Sequence, residues 1–161
     1  MIQYVTGDAT EPIGDGPKII AHICNDKGAW GAGFVLALSK KWDRPETGYR
    51  EEFKSGRDFF LGNVFTVRVD DDLYVANMIA QHGFPSRERP VAVDYEALEF
   101  CLLFLGGTAR VLKATIHMPR IGAGIGGGDW NVIEAIIEET LAEIDVTVYD
   151  LPQSTNERVR L

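Results

Sequence analysis

The stretch TIHMPRIGAGIGGGDW, residues 115–130, joins a short apolar segment to a helix through a run of glycines. Thr115–Met118 is predicted to be a buried strand, and Asp129 is a good N-cap for an apolar-periodic helix from Trp130 to about Leu141. A strand, a glycine loop and a helix N-terminus together favour a phosphate site, because bare backbone amides and the positive end of the helix dipole can face an anion. A flexible turn is the alternative interpretation of the glycines at 122, 124, 126, 127 and 128.

A second glycine-rich loop follows the segment KIIAHICN, residues 18–25. Such a continuous apolar run is typical of a strand that is buried on both faces of a sheet. It leads into DKGAWGAG, residues 26–33, and then into a predicted helix from about Phe34 to Trp42. Ligands of open α/β sheets bind at the carboxyl ends of the strands, so both loops are expected at one edge. Two such loops suit an elongated diphosphate better than a single phosphate.

The remaining segments alternate between strand and helix patterns. Residues 62–69 and 73–79 are predicted to form two strands joined at three aspartates, which makes the sheet mixed. We therefore predict an α/β fold, a three-layer α/β/α domain around a central mixed sheet. The domain is assigned to residues 1–151 and a polar C-terminal tail to residues 152–161. The other predicted elements are strands at 2–6 and 146–149 and helices at 46–53 and 94–112.

Composition excludes several classes of function. The chain has 161 residues, enough for one domain with a real core. Its net charge of −8 argues against general nucleic-acid binding, and its apolar runs are too short to span a membrane. Cys24 and Cys101 form neither a disulfide framework nor a metal-binding spacing, so a reducing cytoplasm is the expected location. Neither a metal nor a cofactor is predicted.

Two common nucleotide-binding patterns are missing from the sequence. There is no GxxxxGK[ST] loop, which argues against an ATPase or GTPase, and the first strand is not followed by GxGxxG, which argues against a Rossmann dehydrogenase. Asp8 follows the first predicted strand, where a carboxylate can accept a hydrogen bond from an exocyclic amine such as that of adenine. A turn aspartate is an equally good interpretation.

Four motifs in this order resemble the macrodomain family: GDAT at 7–10, AHICNDKGAWGAGF at 21–34, VANMIAQ at 75–81 and MPRIGAGIGGGDW at 118–130. The resemblance covers nearly the whole chain, from Ile2 to Asp150. It is to the branch that includes terminal ADP-ribose protein glycohydrolase and the chromatin-remodeller-like bacterial macrodomains. It implies the three-layer fold and ADP-ribose as the ligand.

The resemblance also implies where the parts of ADP-ribose lie. The motif position of Asp8 would take the adenine amino group, and the amides of the two glycine loops would enclose the diphosphate. Asn25 and Trp30 would lie near the distal ribose, and Asn77 and Gln81, after the fourth strand, would face the same cleft. Trp30 could be a core aromatic, but its loop position favours a wall of the sugar pocket. The predicted ligand-binding residues are Asp8, Ala9, His22, Ile23, Trp30, Gly31, Ala32, Gly33, Phe34, Asn77, Gln81, Pro119, Ile121, Gly122, Ala123, Gly124, Ile125 and Gly126.

The catalytic groups of the resembled enzymes are not present here. The glycohydrolase uses a lysine after its VANMIAQ-like strand and an aspartate in the second loop, where this chain has Gln81 and Gly126. A covalent lysine–sugar intermediate is therefore not expected. Of the asparagine run that marks the mono-ADP-ribosylhydrolases, this chain matches only Asn25.

A substrate-assisted route remains, in which Asn25 and a phosphate oxygen orient a water against the anomeric carbon. We predict Asn25 and Asp26 as the catalytic residues. Candidate acid–base helpers are Asp26, His22 and His82. A core position for His22, a cap role for Asp26 and a surface position for His82 are the structural alternatives. Arg120 is expected to pair with a carboxylate of the core rather than reach the ligand.

The sequence thus predicts a macrodomain that binds ADP-ribose and hydrolyses an ADP-ribosyl linkage. An ester to protein glutamate or aspartate is the favoured linkage, because a carboxylate leaves without a strong acid. ADP-ribosylated protein is then the expected partner, with no membrane partner. The alternatives are an ADP-ribose 1″-phosphate phosphatase, an ADP-ribose reader without catalysis and, more remotely, a non-catalytic partner protein that uses the fold as a surface.

Overall fold

The computed structural model describes residues 1–152, so the predicted tail lies outside the described residues from 153 onward. Its strands are β1 (Ile2–Thr6), β2 (Lys18–Asn25), β3 (Val64–Asp70), β4 (Leu73–Gln81), β5 (Thr115–Met118) and β6 (Val146–Asp150). Its helices are α1 (Phe34–Ser39), α2 (Arg44–Ser55), α3 (Tyr95–Leu112) and α4 (Trp130–Thr140). None of these helices is long and apolar enough to cross a bilayer.

The six strands form one sheet in the order β1-β6-β5-β2-β4-β3. Every neighbouring pair is parallel except β3 and β4, which are antiparallel. β2 lies between β5 and β4, with Ile20 opposite His117 on one side and Val75 on the other. The predicted mixed sheet is confirmed. β2 and β5 are parallel, so their carboxyl ends point to the same edge of the sheet, although β5 pairs only with Lys18–Ile20 and β2 extends beyond it.

Helices cover both faces of the sheet, which explains the continuous apolar run of β2. Ile19 and Ala21 belong to the core cluster that includes α3 and α4 residues. Ile20 and Cys24 belong to the cluster that includes α1 and α2 residues. Successive side chains of a strand point to opposite faces, so a strand covered on both faces has no exposed position to fill with polar residues. The three-layer α/β/α prediction is confirmed.

Several element boundaries differ from the sequence prediction by one to three residues, and contacts explain the ends of α1 and β4. α1 ends at Ser39 rather than Trp42, because the amides of Lys41 and Trp42 both bond to the carbonyl of Leu38 and close a tight turn. β4 continues to Gln81, which pairs with Asn25 of β2 and bridges to Val93. These contacts fix the residues that follow β4 against the end of β2.

Candidate active site

A cleft of about 390 Å³ opens at the carboxyl edge of the sheet. Parts of two loops line it: residues 26–33, which we call the first loop, contribute 29 and 31–33, and residues 119–129, which we call the second loop, contribute 119–122 and 124–126. The loops meet where Ile125 lies over Gly33, with its Cδ1 2.8 Å from the place of a Cβ. Because Gly33 also has a φ of 84°, only glycine fits this contact without strain.

Most of the predicted ligand-binding residues line this cleft, but six predicted site residues do not. The cleft is lined by the predicted residues His22, Ile23, Asn25, Gly31, Ala32, Gly33, Phe34, Gln81, Pro119, Ile121, Gly122, Gly124, Ile125 and Gly126. Absent from the lining are Asp8, Ala9, Asp26, Trp30, Asn77 and Ala123. Five further residues that were not predicted from the sequence also line the cleft: Cys24, Ala29, Val35, Phe84 and Arg120. A lone aromatic in the polar loop HGFPSRERP was the available signal for Phe84.

The second loop presents backbone amides that have no acceptor. The amides of Ile121, Ala123, Gly127 and Gly128 bond to carbonyls within the loop. Across residues 1–152, no acceptor is found for the other amides of the loop's centre, those of Gly122, Gly124, Ile125 and Gly126. Unpaired N–H groups on residues that line a cleft can bind an anion.

The first loop has the same property on the opposite wall. Its amides at Lys27 and Ala29 are taken by the side chain of Asn25. Within the described part of the chain, the next amides toward α1, at Gly31, Ala32 and Gly33, have no acceptor. Both walls of the cleft therefore offer N–H donors.

The glycines of the two loops have two different functions. A Cβ at Gly127 would overlap the carbonyl oxygen of Pro90, and one at Gly128 would lie 2.8 Å from the carbonyl oxygen of Gly122. These glycines allow the loop to pack. By contrast, a Cβ at Gly31 or Gly124 would meet nothing within 4 Å. Those two positions leave open space in front of the backbone, on the side from which a ligand approaches.

The helix N-terminus contributes less than the sequence suggested. Asp129 caps α4 as predicted, its side chain accepting a bond from the amide of Asn131 at 2.9 Å. Neither Asp129 nor Trp130 lines the cleft. The positive end of α4 is occupied by the protein's own carboxylate, so the loop amides are the groups that face the cleft.

The side chain of Asn25 is bonded mainly to the first loop. Its Nδ2 donates to the carbonyl of Ala29 at 2.7 Å, and its Oδ1 accepts from the amides of Lys27 and Ala29 at 2.9 and 3.2 Å. The hydroxyl of Tyr49 lies 2.7 Å from the Asn25 carbonyl oxygen and 2.9 Å from Oδ1, and it has one proton to donate to either. The three loop bonds fold the loop back on the end of β2. They occupy the acceptor Oδ1 and leave only the second N–H of Nδ2, so Asn25 has no free acceptor with which to orient a water.

Asp26 ties the first loop to the residues that follow β4. Its Oδ2 lies 2.6 Å from Nδ1 of His82, and its Oδ1 accepts from the amide of Gly83 at 2.8 Å. Partial burial raises the pKa of the Asp26 carboxyl, but the bonds from His82 and Gly83 outweigh it, so the pKa is lowered overall. Because neither Asp26 nor His82 lines the cleft, this pair supports the cap interpretation of Asp26.

His22 lies in the cleft wall with one ring nitrogen unsatisfied. Nδ2 of Asn77 donates to the carbonyl of Pro45, which leaves Oδ1 of Asn77 to accept from Nε2 of His22. The proton therefore belongs on Nε2, and Nδ1 is a buried acceptor with no partner among the described residues. Burial lowers the pKa of His22 to about 4, against a smaller opposing effect of the Asn77 bond, so the ring is neutral near pH 7.

Gln81 supplies a second free acceptor. Its Nε2 donates to the carbonyl of Gly83 at 2.9 Å, which fixes the amide group. No donor within residues 1–152 reaches its Oε1, and a Cβ built on Gly126 would lie 3.2 Å from that oxygen. The Gln81 oxygen thus lies beside the second loop, in the cleft wall.

Three of the predicted site residues take structural positions instead. Trp30 is 3% exposed and donates to Ser39 Oγ at 2.8 Å, so it packs beneath the first loop and is not a wall of the cleft. Asn77 was expected after the fourth strand, but it lies within β4 and is completely buried. Its side chain bonds to His22. Oδ1 of Asp8 accepts from the amide and hydroxyl of Thr10 at 2.8 and 2.7 Å, as a turn aspartate does.

The predicted pairing of Arg120 is present at the edge of the cleft. Its guanidinium donates two bonds to the Asp150 carboxylate, at 2.7 and 3.0 Å. It also lies over the rings of Tyr4 and Trp130, 5.1 and 5.3 Å from their centres. The partner is the half-exposed Asp150 at the end of β6, not a core carboxylate as expected.

A mixed, mostly parallel sheet between two helical layers, with two glycine loops at its carboxyl edge whose amides lack acceptors, is suited to bind an extended anion. No protein-family model matches the chain. A structure from Bacteroides thetaiotaomicron, described as a protein of unknown function, is 52% identical with a TM-score of 0.91 and covers 94% of this chain and 98% of its own. A macrodomain protein from Streptomyces coelicolor is 45% identical with a TM-score of 0.82, covering 93% and 99%. The ADP-ribose 1″-phosphate phosphatase of Candida albicans is 30% identical over 155 residues, 86% of this chain and 93% of that protein. The chain belongs to the macrodomain family.

Proposed function

We propose that this macrodomain binds ADP-ribose in the cleft and hydrolyses an ADP-ribosyl linkage. The observation that carries the proposal is that two loops line one cleft and have backbone amides without an acceptor among the described residues. The cleft volume of about 390 Å³ falls within the range of small-molecule sites. The relation to a phosphatase named for ADP-ribose 1″-phosphate supports the same ligand.

The diphosphate is the part of the ligand that the loops fit best. Amides 31–33 on one side and amides 122 and 124–126 on the other would donate to phosphate oxygens, as charge-assisted hydrogen bonds. Gly31 and Gly124 allow the phosphates to approach the backbone closely. Since the donors are neutral amides, the net charge of −8 does not have to be offset by lysines at the site.

The ends of the ligand are assigned from the groups that remain free. Asp8 uses Oδ1 in its turn, and Oδ2 finds no partner in the described chain, so Oδ2 is the proposed acceptor for the adenine amine. Gln81 and Phe84 line the cleft near the end of β4. That end is the proposed place of the distal ribose and of the leaving group.

The proposed chemistry is an attack of water on the anomeric carbon. The water oxygen forms the new C–O bond, the bond to the acceptor oxygen breaks, and the departing carboxylate keeps the electron pair. The water proton passes to a phosphate oxygen of the substrate or to solvent. In place of Asn25, we propose that Gln81 Oε1 orients this water, because Gln81 lines the cleft and its Oε1 is an acceptor without a donor among the described residues.

An ester to protein glutamate or aspartate is the proposed substrate, since it needs no strong acid and the cleft lining offers none. His22 is neutral, and the Asp26 carboxyl, with its lowered pKa, is ionised and turned toward His82. A 1″-phosphate is the second candidate, favoured by the Candida relative. An ADP-ribosylated protein is the corresponding partner, and the two free, buried cysteines support a reducing cytoplasm as the location.

Calorimetric titration with ADP-ribose, run beside turnover assays on glutamate-ADP-ribosylated protein and on ADP-ribose 1″-phosphate, tests the proposal. We expect micromolar binding and release of free ADP-ribose from the protein ester. Release of phosphate alone would assign the second candidate. Binding without any release would identify a reader, and no binding at millimolar ADP-ribose would overturn the whole assignment.

A further inference from the structure

The outer face of α3 carries an apolar stripe far from the cleft. Phe100, Leu103, Phe104 and Val111 are 59, 52, 58 and 83% exposed. Their spacing of three, four and seven residues places them along one side of the helix. The four side chains together leave roughly 400 Å² of apolar surface in contact with water, a patch of the size that marks interaction sites on monomers.

The same face has a hollow beside the protruding side chains. A groove of about 690 Å³ runs between α3 and the strands β3 and β4. It is lined by Thr66, Arg68, Tyr74, Leu103, Phe104, Gly107, Thr108, Val111 and Leu112. Gly107 lies in the stripe, and a Cβ there would meet nothing within 4 Å. A glycine inside an exposed helix costs about 1 kcal/mol relative to alanine, and here it makes a dent between Phe104 and Val111.

The charges at the two ends of the stripe are of opposite sign. Glu96 and Glu99 are exposed at its N-terminal end, and Arg110 and Lys113 are exposed at its C-terminal end. None of the four appears in an ion pair within residues 1–152. Two copies of α3 packed antiparallel would bring the acidic end of each against the basic end of the other.

We propose that this face is a two-fold interface with a second copy of the chain. With the symmetry axis between Phe104 and Gly107, each Phe104 enters the dent at Gly107 of the other copy, and Glu99 lies beside Arg110 and Lys113 of that copy. The apolar stripe then supplies about half of the roughly 800 Å² per partner that a standard interface buries, with the charged ends as its rim. A second copy is preferred over other occupants because it supplies both the protrusion and the hollow, and both signs of charge, in matching positions.

The cleft stays open in such a dimer. The groove at α3 and the cleft between the glycine loops have no lining residue in common. The proposed interface is therefore independent of the proposed ligand, and either can fail without the other.

Sedimentation velocity of the full chain between about 1 and 100 µM tests the interface. We expect a concentration-dependent dimer whose dissociation constant rises at least about tenfold in Phe104→Glu. Val132→Glu, which places the same charge at an exposed apolar position of α4, should leave it unchanged. A chain that stays monomeric throughout the range, or an effect of Val132→Glu equal to that of Phe104→Glu, would overturn the proposal.

Two further variants keep the test independent of folding. Gly107→Leu favours the helix but fills the dent, so it should weaken the dimer while raising helix stability. Glu99→Arg and Arg110→Glu should each weaken it, and the double variant should restore it, because in a two-fold antiparallel pair the two charges lie beside each other. Failure of the double variant to recover association would exclude this arrangement of the two helices.

Discussion

Gly124 is the residue at which a side chain most directly meets the proposed ligand. No Cβ contact arises there and its φ is not positive, so Gly124→Glu should fold normally. Its carboxylate would stand at the diphosphate, and we expect the ADP-ribose dissociation constant to rise at least about 100-fold. Gly107→Glu, at an equally open position outside the cleft, is the matched control. Calorimetry of both variants measures the difference, and full affinity in Gly124→Glu would refute the loop assignment.

Asn25 is the residue whose expected role changes most. Because its amide makes three bonds to the first loop, Asn25→Ala should loosen amides 31–33 as well. We expect binding and turnover to fall together, each by about tenfold or more. Titration and steady-state kinetics of this variant decide the matter. Retained binding with lost turnover would restore the catalytic role that the sequence suggested.

Gln81 provides the contrasting case. Gln81→Ala removes a free acceptor of the cleft wall, so turnover should fall at least about 100-fold while ADP-ribose affinity changes by less than about tenfold. Gln81→Glu keeps an acceptor oxygen and serves as the matched variant. An unchanged rate in Gln81→Ala would remove this residue from the water site.

At the scale of elements, the second loop is locked against the residues that precede α3. Gly127 has a φ of 70° and a Cβ there would overlap the carbonyl of Pro90. Gly127→Ala should therefore lower the free energy of unfolding by about 2 kcal/mol or more. Gly31→Ala, with open space and an ordinary φ, should change it by less than about 1 kcal/mol. Urea denaturation of both variants compares the two kinds of glycine.

The limits of helices and strands could be predicted where the hydrophobic pattern and the flanking residues agree. They were harder to predict where contacts with distant residues set the boundary. The limits of β2 and β5 follow from their apolar runs and their flanking loop residues, and both were predicted to the residue. The extension of β4 to Gln81 depends on pairing with β2, which no local pattern contains. The burial of Trp30 likewise depends on its bond to Ser39, so a tryptophan between Ala29 and Gly31 in a loop was wrongly predicted to be a cleft wall.

For the whole molecule, two buried histidines tie stability to pH. Burial lowers the pKa of His22 and of His117 to about 4, with a further contribution from Lys18 at His117. The unfolded chain, with pKa values near 6.5, binds more protons below that pH, so folded stability is full above pH 6.5 and falls as the pH drops toward 4.

The expected slope is about 1.4 kcal/mol per pH unit for each histidine in this window. Urea denaturation between about pH 7.5 and pH 4.5 measures it. His117→Gln, which can still bond to the hydroxyls of Tyr149 and Thr115, should remove about half of the slope. A pH-independent stability down to pH 5 would contradict the burial of both rings.

The class of protein could be predicted from the sequence, whereas the roles of single side chains could not. Four motifs in order identify the family, and the glycine loops predict the binding edge. Which of His22, Asn25 and Gln81 keeps a free acceptor depends on bonds to Tyr49, Pro45 and Gly83, which are distant in sequence or set by the turn of the backbone.

The fluorescence of Trp30 should report on the occupancy of the cleft. Its indole meets the ring of His22 edge-on, with the centroids 5.4 Å apart, and His22 in turn lines the cleft. Indole emission responds to the charges and water near it, so displacement of water from the cleft should alter the light that Trp30 emits. The wild-type chain then needs no dye to report an occupied cleft, and loss of the signal in Trp30→Phe, with Trp42 and Trp130 intact, would locate its source.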